Sequence, residues 1–269
     1  MSRRVIIHAD AAAMVDAVSE RFVTKLIELQ AEQPVVHVCL TGGSSGINLL
    51  RVTADSPRLA EVSWSRVHFW WGDDRYVPAD HTDRNALQAE QALVAGLVEF
   101  FGLPEENVHP LPPQGVFTNI EDAAGAAATE LAEFGIEGRE FPVFDICFLG
   151  VGPDGHVASL FPGHATVRES ERSVITELDS PKPPPERISL TMPVLNASTR
   201  VWFVLAGADK SSALGLALAG ANPLEVPAAG VEGTRTTIFF VDQAAATDVP
   251  HALIAPDDEW TGVYTLPQD

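Results

Sequence analysis

The feature that most constrains this chain is a repeated switch between two periodicities. Short runs that are apolar and often β-branched at consecutive positions alternate with longer segments of helical period. Residues 5–8, 35–40, 67–71, 144–149, 188–191, 201–205 and 237–241 read as strands. Between the first two, residues 11–30 place Met14, Val15, Val18, Phe22, Leu26 and Leu29 on one helical face. Residues 82–97 and 120–134 also read as helices, and a further helix begins near Asp209 and runs to Leu218, ahead of Gly220. Strands apolar on both faces and separated by helices belong in a mostly parallel sheet covered on both sides. The expected architecture is a Rossmann-like three-layer α/β/α sandwich in a single domain over residues 1–269. Two segments break the alternation. Residues 110–115 (PLPPQG) form a rigid connector. Residues 180–186 (SPKPPPE) contain four prolines, which fix φ and remove donors, so they read as a surface loop in a smaller, partly antiparallel excursion.

Charge narrows the partners. With 37 acidic and 17 basic side chains the chain carries a net charge of −20, and nucleic acid or an anionic membrane would repel it. No run approaches the ~18 apolar residues of a membrane span. The first residues, MSRRVIIHAD, read as a strand entering a helix and not as a signal peptide. Cys39 and Cys147 lie inside apolar runs and read as free buried thiols of a reducing compartment, with a disulfide between adjacent strands as the alternative. These features point to a cytoplasmic protein, a monomer or weak homo-oligomer. Only three lysines occur (Lys25, Lys182 and Lys210), so a cation at a ligand-facing position stands out.

In an open α/β sheet, ligands bind beyond the carboxyl ends of the strands. Four chemically distinctive segments fall there. Thr41-Gly42-Gly43-Ser44-Ser45-Gly46 follows the strand ending at Leu40 and is expected to open a helix at Ile47. Its glycines admit a close backbone approach, and a helix N-terminus offers N–H groups to an anion. The spacing fits neither GxGxxG nor the nucleotide P-loop. Gly72-Asp73-Asp74-Arg75 follows the strand ending at Trp71, and Arg75 can grip a phosphate or carboxylate in two-pronged fashion. Gly150-Val151-Gly152-Pro153-Asp154-Gly155-His156 holds an Asp and a His two positions apart, the equipment of a general base. Gly207-Ala208-Asp209-Lys210 places a cation in the first turn of a helix, a position that suits it only if an anion binds there. His156 and His164 are eight apart in an irregular loop without HExxH or a cysteine pair, so no metal is expected. Ser44 and Ser45 lack the GxSxG setting of a covalent nucleophile.

Taken together, LTGGSSG, FWWGDDRYVPADHTDRNALQAEQALV, FDICFLGVGPDGHVASLFPGH and ISLTMPVLNASTRVWFVLAGADKSSAL resemble the 6-phosphogluconolactonase family, within the wider group that includes glucosamine-6-phosphate deaminases. The stretches occur in family order and span about two thirds of the chain. The resemblance implies hydrolysis of a phosphosugar δ-lactone to 6-phosphogluconate, with no metal and no organic cofactor. It implies His156 as the base that activates water, Asp154 as its polar partner, and Arg75 and Lys210 at the phosphate or the developing negative charge. Gly42, Gly43, Ser44, Ser45, Gly46 and Asp73 would complete the substrate site. One departure is Asp74, where that loop more often carries Glu. Another position separates the two activities: deaminases typically place a Glu five residues after the His, and here that residue is Phe161.

Overall fold

The computed structural model describes residues 2–247 and residue 249. The chain opens with β1 (Ser2–His8) and α1 (Ala11–Glu32), then β2 (Val36–Leu40) and α2 (Gly43–Ala54). β3 (Val67–Trp71) and a short β4 (Asp73–Arg75) precede α3 (Asn85–Ala89). A π-turn at Glu90–Val94 joins α3 to α4 (Ala95–Phe101). Next come β5 (Val108–His109), α5 (Ile120–Glu133), β6 (Ile146–Leu149), β7 (Val174–Glu177), β8 (Arg187–Leu190) and α6 (Met192–Asn196). β9 (Arg200–Leu205), α7 (Ser211–Leu218) and β10 (Thr236–Asp242) complete the order.

Seven strands form one parallel sheet in the order β1-β10-β9-β6-β2-β3-β5, as their two-sided apolar character requires. The three-layer α/β expectation therefore holds. The excursion is a second, antiparallel sheet, β4-β8-β7. The segment read as a strand over residues 188–191 belongs to it, and the proline-rich loop is the connection between β7 and β8. β4 and β5 have too few residues to show a period, which is why the sequence pattern passes over them.

Two further boundaries differ from expectation. The helix expected to begin at Ile47 starts at Gly43, so the glycine-serine motif is its first turn and not the loop before it. The helix expected over 82–97 begins at Asn85 and continues to Phe101 through the π-turn. α1 starts at its Asp10 cap, whose carboxylate accepts the Ala13 N–H at 2.8 Å. The cysteines are free and buried, on adjacent strands and in register with each other. No helix among the described residues is long and apolar enough to cross a membrane.

The topology fixes where a ligand can sit. From β2 the chain runs outward to β3 and β5, then returns to β6 on the other side of β2 and continues to β9 and β10. The switch point is the crevice between the carboxyl ends of β2 and β6. The loops beginning at Thr41 and Gly150 leave from those two ends, and Gly150 N–H donates to Thr41 Oγ1 at 3.2 Å, tying them together.

Near the opposite ends of the strands lies a stack of histidines, His37 on β2, His68 on β3 and His109 on β5. His68 Nδ1 and His109 Nε2 are 2.9 Å apart, His109 Nδ1 meets Glu130 at 2.7 Å, and Trp70 Nε1 donates to His37 Nδ1 at 3.1 Å. Burial, with repulsion from the neighbouring imidazoles, holds both His37 and His68 down at about 4. Below the ordinary histidine value of 6.5 the unfolded chain takes up protons that the native stack refuses. Stability should therefore fall as pH drops from about 6.5 towards 4, read as a declining urea midpoint. Replacing His37 and His68 by glutamine should flatten that decline; an unchanged slope would place the acid sensitivity elsewhere.

Candidate active site

A cavity of about 270 Å³ opens at the switch point. Thr41, Gly42 and Gly43 line it from the end of β2, Asp73 and Arg75 from β4, and Gly150, Val151, Gly152 and His156 from the loop after β6. Lys210, at the N-terminus of α7, closes another side. Ser44, Ser45 and Gly46 do not line it. They lie further along the first turn of α2, and Gly46 packs back on Thr41, where a Cβ would stand 2.6 Å from the Thr41 carbonyl.

Each segment reaches the cavity for a local reason. Gly42 is pressed against Asn85, and a Cβ there would fall 1.9 Å from Asn85 Oδ1. Gly42 also supplies no side-chain cap to α2, so the N–H groups of the first turn remain open to an anion. On β4 the two-residue alternation sends Asp73 and Arg75 to the cavity and Asp74 the other way. Asp73 is buried, accepts from Ser159 Oγ at 2.7 Å, and has its backbone carbonyl held by Asn85 Nδ2 at 2.9 Å. Arg75 donates Nη1 to the Asp83 carbonyl at 2.6 Å, while its buried Nε has no partner among the described residues.

Asp74 is 1% exposed and organises this loop. One oxygen accepts the N–H groups of Arg75 at 2.8 Å and Asn85 at 2.7 Å; the other meets Ala86 N–H at 3.2 Å and Arg84 Nη2 at 3.1 Å. Burial raises its carboxyl to about 6 against the opposing pull of Arg84 and the backbone donors, which leaves it ionised at neutral pH. The contact left open by the Glu-to-Asp departure is thus a structural one, within the loop.

The loop after β6 brings Asp154 and His156 together. Asp154 Oδ1 lies 2.5 Å from His156 Nδ1, so the two side chains meet directly. Burial works to raise the Asp154 carboxyl, but the hydrogen bond and charge of His156 outweigh it and hold it at about 2. An ionised Asp154 keeps the Nδ1 proton in place and leaves the Nε2 lone pair unprotonated in the neutral ring. A larger residue at position 152 would displace this pair, because a Cβ would sit 2.0 Å from His156 Nδ1 and 2.4 Å from Asp154 Oδ1. Phe161 packs on the imidazole with ring centres 4.6 Å apart. His164 points its Nδ1 at buried Glu177, 3.0 Å away, which assigns it a framework part; it does not line the cavity.

Two further cations complete the lining, Arg187 and Lys182. β4 pairs with β8 so that Arg75 stands opposite Arg187. Arg187 is buried, gives Nε to the Pro184 carbonyl at 2.8 Å and Nη2 to the Lys182 carbonyl at 3.0 Å, and holds Nη1 4.0 Å from Asp73. Burial, offset in part by Asp73 and aggravated by Arg75, lowers its guanidinium from the usual value. Sequence reasoning passed over Arg187, which reads as the polar start of an apolar run. Lys182 did carry a signal, being one of three lysines and lying inside the proline loop. Among the described lining residues, Arg75, Lys182, Arg187 and Lys210 thus face one carboxylate, Asp73, with Asp209 paired to Lys210 at 3.1 Å from outside the lining.

An open parallel sheet with a cationic, histidine-bearing cavity at its switch point defines a class: an α/β protein suited to a small anion at its strand ends. Residues 9–240 match the family described as glucosamine-6-phosphate isomerases/6-phosphogluconolactonase, and the chain belongs to that family. It is 42% identical over 259 residues to the 6-phosphogluconolactonase of Streptomyces coelicolor, covering 94% of this chain and 97% of that one. It is 41% identical over 252 residues to the 6-phosphogluconolactonase of Mycobacterium leprae, covering 93% and 100%. Among solved structures, the 6-phosphogluconolactonase of Thermotoga maritima superposes with a TM-score of 0.77 at 28% identity, over 90% of this chain and all of that one.

Removing Asp74 would strand Arg84 as an unpaired buried charge. Asp74→Ala is expected to cost about 3–5 kcal/mol of stability by denaturant titration. A loss within the range of an exposed ion pair would show that the carboxylate does not organise the loop.

Proposed function

We propose that the chain hydrolyses 6-phospho-D-glucono-1,5-lactone to 6-phospho-D-gluconate, the lactone-opening step of the oxidative pentose phosphate pathway, with His156 as general base and no covalent intermediate. The observation that carries this reading is His156, held 2.5 Å from Asp154, on the wall of a cavity lined by four cations. The kinship with 6-phosphogluconolactonases across nearly the whole chain supports the substrate.

The chemistry follows from the donor set. Asp154 holds the imidazole with Nε2 free, and Nε2 takes a proton from a water as its oxygen adds to the lactone carbonyl. The C–O bond that forms converts the carbonyl to a tetrahedral oxyanion, which needs a cation or N–H group already in place. Collapse re-forms the carbonyl and breaks the bond to the ring oxygen, and the proton held by His156 passes to that oxygen. A δ-lactone is reactive enough that one base and one oxyanion stabiliser suffice. Arg75 and Lys210 meet the phosphate or the developing charge, and Arg187 and Lys182 extend the same field. Glycines 42 and 43 bring the open end of α2 to the phosphosugar, and Asp73 serves as an acceptor for a sugar hydroxyl. No serine lines the cavity among the described residues, in keeping with water as the nucleophile.

Phe161 separates this reading from amino-sugar phosphate deamination. The side chain packed on His156 is a buried phenyl ring, which offers no acid for ring opening.

His156→Ala should leave the fold intact and lower lactone hydrolysis by about two orders of magnitude or more. Turnover near that of the parent chain, measured above spontaneous hydrolysis, would remove His156 from the reaction. Arg75→Ala and Lys210→Ala should chiefly raise KM. Unchanged binding of 6-phosphogluconate in both variants would place the phosphate elsewhere.

A further inference from the structure

Between His156 and Phe161 the chain turns back on itself. Leu160 N–H donates to the Val157 carbonyl at 2.9 Å, which closes a tight turn with Ala158 and Ser159 at its centre. The turn returns Phe161 to the His156 imidazole, and His156, Ala158 and Phe161 all line the catalytic cavity. Ala158 has a φ of +48°, and among the described residues it is the one non-glycine residue with a positive φ. The first central position of such a turn favours glycine, asparagine or aspartate, because a Cβ at positive φ is crowded by the backbone. An alanine so placed is strained, and strain of this kind persists only where the surroundings impose it.

The two hydrogen bonds of Ser159 impose it. Its N–H donates to Ser189 Oγ at 3.1 Å and its hydroxyl to Asp73 Oδ2 at 2.7 Å. Asp73 and Ser189 stand opposite each other on β4 and β8, so both anchors belong to the antiparallel sheet that carries Arg75 and Arg187. All three residues are buried, Ser159 and Ser189 completely, so no water stands ready to replace a lost partner. Ser159 thus ties the loop of His156 to the sheet of the two arginines.

We propose that Ser159 is a positioning residue for the reaction: its two hydrogen bonds hold the Val157–Leu160 turn in its strained form, and the turn sets the His156 imidazole against Phe161. The proposal rests on His156 as the general base. Without the hydroxyl anchor, Ala158 relaxes from positive φ, Phe161 withdraws from the imidazole, and the ring loses its alignment with the water it activates. A displacement of about 1 Å at a reacting group can cost about 10²-fold in rate. Ser159 acts through His156, so its removal falls chiefly on kcat.

Ser159→Ala should lower kcat for the lactone by about tenfold or more, with KM changed by less than about threefold. The His156 imidazole protons, assigned in the NMR spectrum by their loss in His156→Ala, should shift as the Phe161 ring current moves away. A hydroxyl that served stability alone would leave both readings at their parental values in the folded variant. The double variant Ala158→Gly/Ser159→Ala probes the turn itself. Glycine takes positive φ without strain, so it should restore most of the lost kcat and return the imidazole protons towards their parental positions. Ser189→Ala, which removes the other anchor, is read in the same way if Ser159→Ala does not fold; unfolding of both would assign Ser159 to the framework alone and overturn the proposal. Imidazole protons that stay in place in a folded Ser159→Ala chain would also overturn it, as would a double variant that recovers neither rate nor shift. Protons that move while kcat stays at the parental value would instead refute His156 as the base and leave the hold of Ser159 on the ring standing.

Discussion

The buried carboxylate of Asp74 holds together the part of the molecule on which the site depends. It takes three backbone N–H groups and the Arg84 guanidinium within 3.2 Å, and so fixes the strand and turn from Asp73 to Ala86. With Asp74 turned inward, the pleat of β4 obliges Asp73 and Arg75 to face the cavity. Asn85, held by the same carboxylate, steadies Asp73 and presses on Gly42. One desolvated charge, kept ionised by its donors, thus positions groups on three separate segments of the cavity wall.

The electrostatics of the chain and of the cavity run in opposite directions. A protein of net charge −20 repels anions at long range, yet four of its cations converge where an anionic substrate would bind. Arg187 shows what that convergence costs. Its guanidinium is buried beside Arg75 and is held in the fold by two carbonyls of the proline loop as well as by Asp73. The prolines matter here in a second sense: lacking N–H groups, they offer the loop's carbonyls no local backbone donor, and those of Lys182 and Pro184 accept from the arginine.

Much of this was legible from residues alone. The parallel strands announce themselves because burial on both faces demands unbroken apolar runs, and the loops following them carry the Asp-Gly-His and glycine-serine segments. Short polar strands were not legible: Asp73–Arg75 has three residues, all charged, and becomes a strand only because β8 pairs with it. The start of α2 was misplaced for a related reason. Gly-Ser-Ser-Gly has poor helix propensity, and its helical state reflects packing of Gly46 on Thr41 and the apolar residues that follow.

By itself the sequence determined the α/β class, the chemistry available at the strand ends and the proximity of Asp154 to His156 along the chain, because these depend on local periodicity and neighbouring residue types. The tertiary structure decided that Asp154 and His156 meet at 2.5 Å, that Arg187 and Lys182 join Arg75 and Lys210, and that Ser44 and Ser45 stand off from the cavity. It also turned Asp74 away from the site and into the frame beneath it. Those outcomes depend on strand register and on contacts between residues far apart in the chain, such as β4 against β8, which no local pattern encodes.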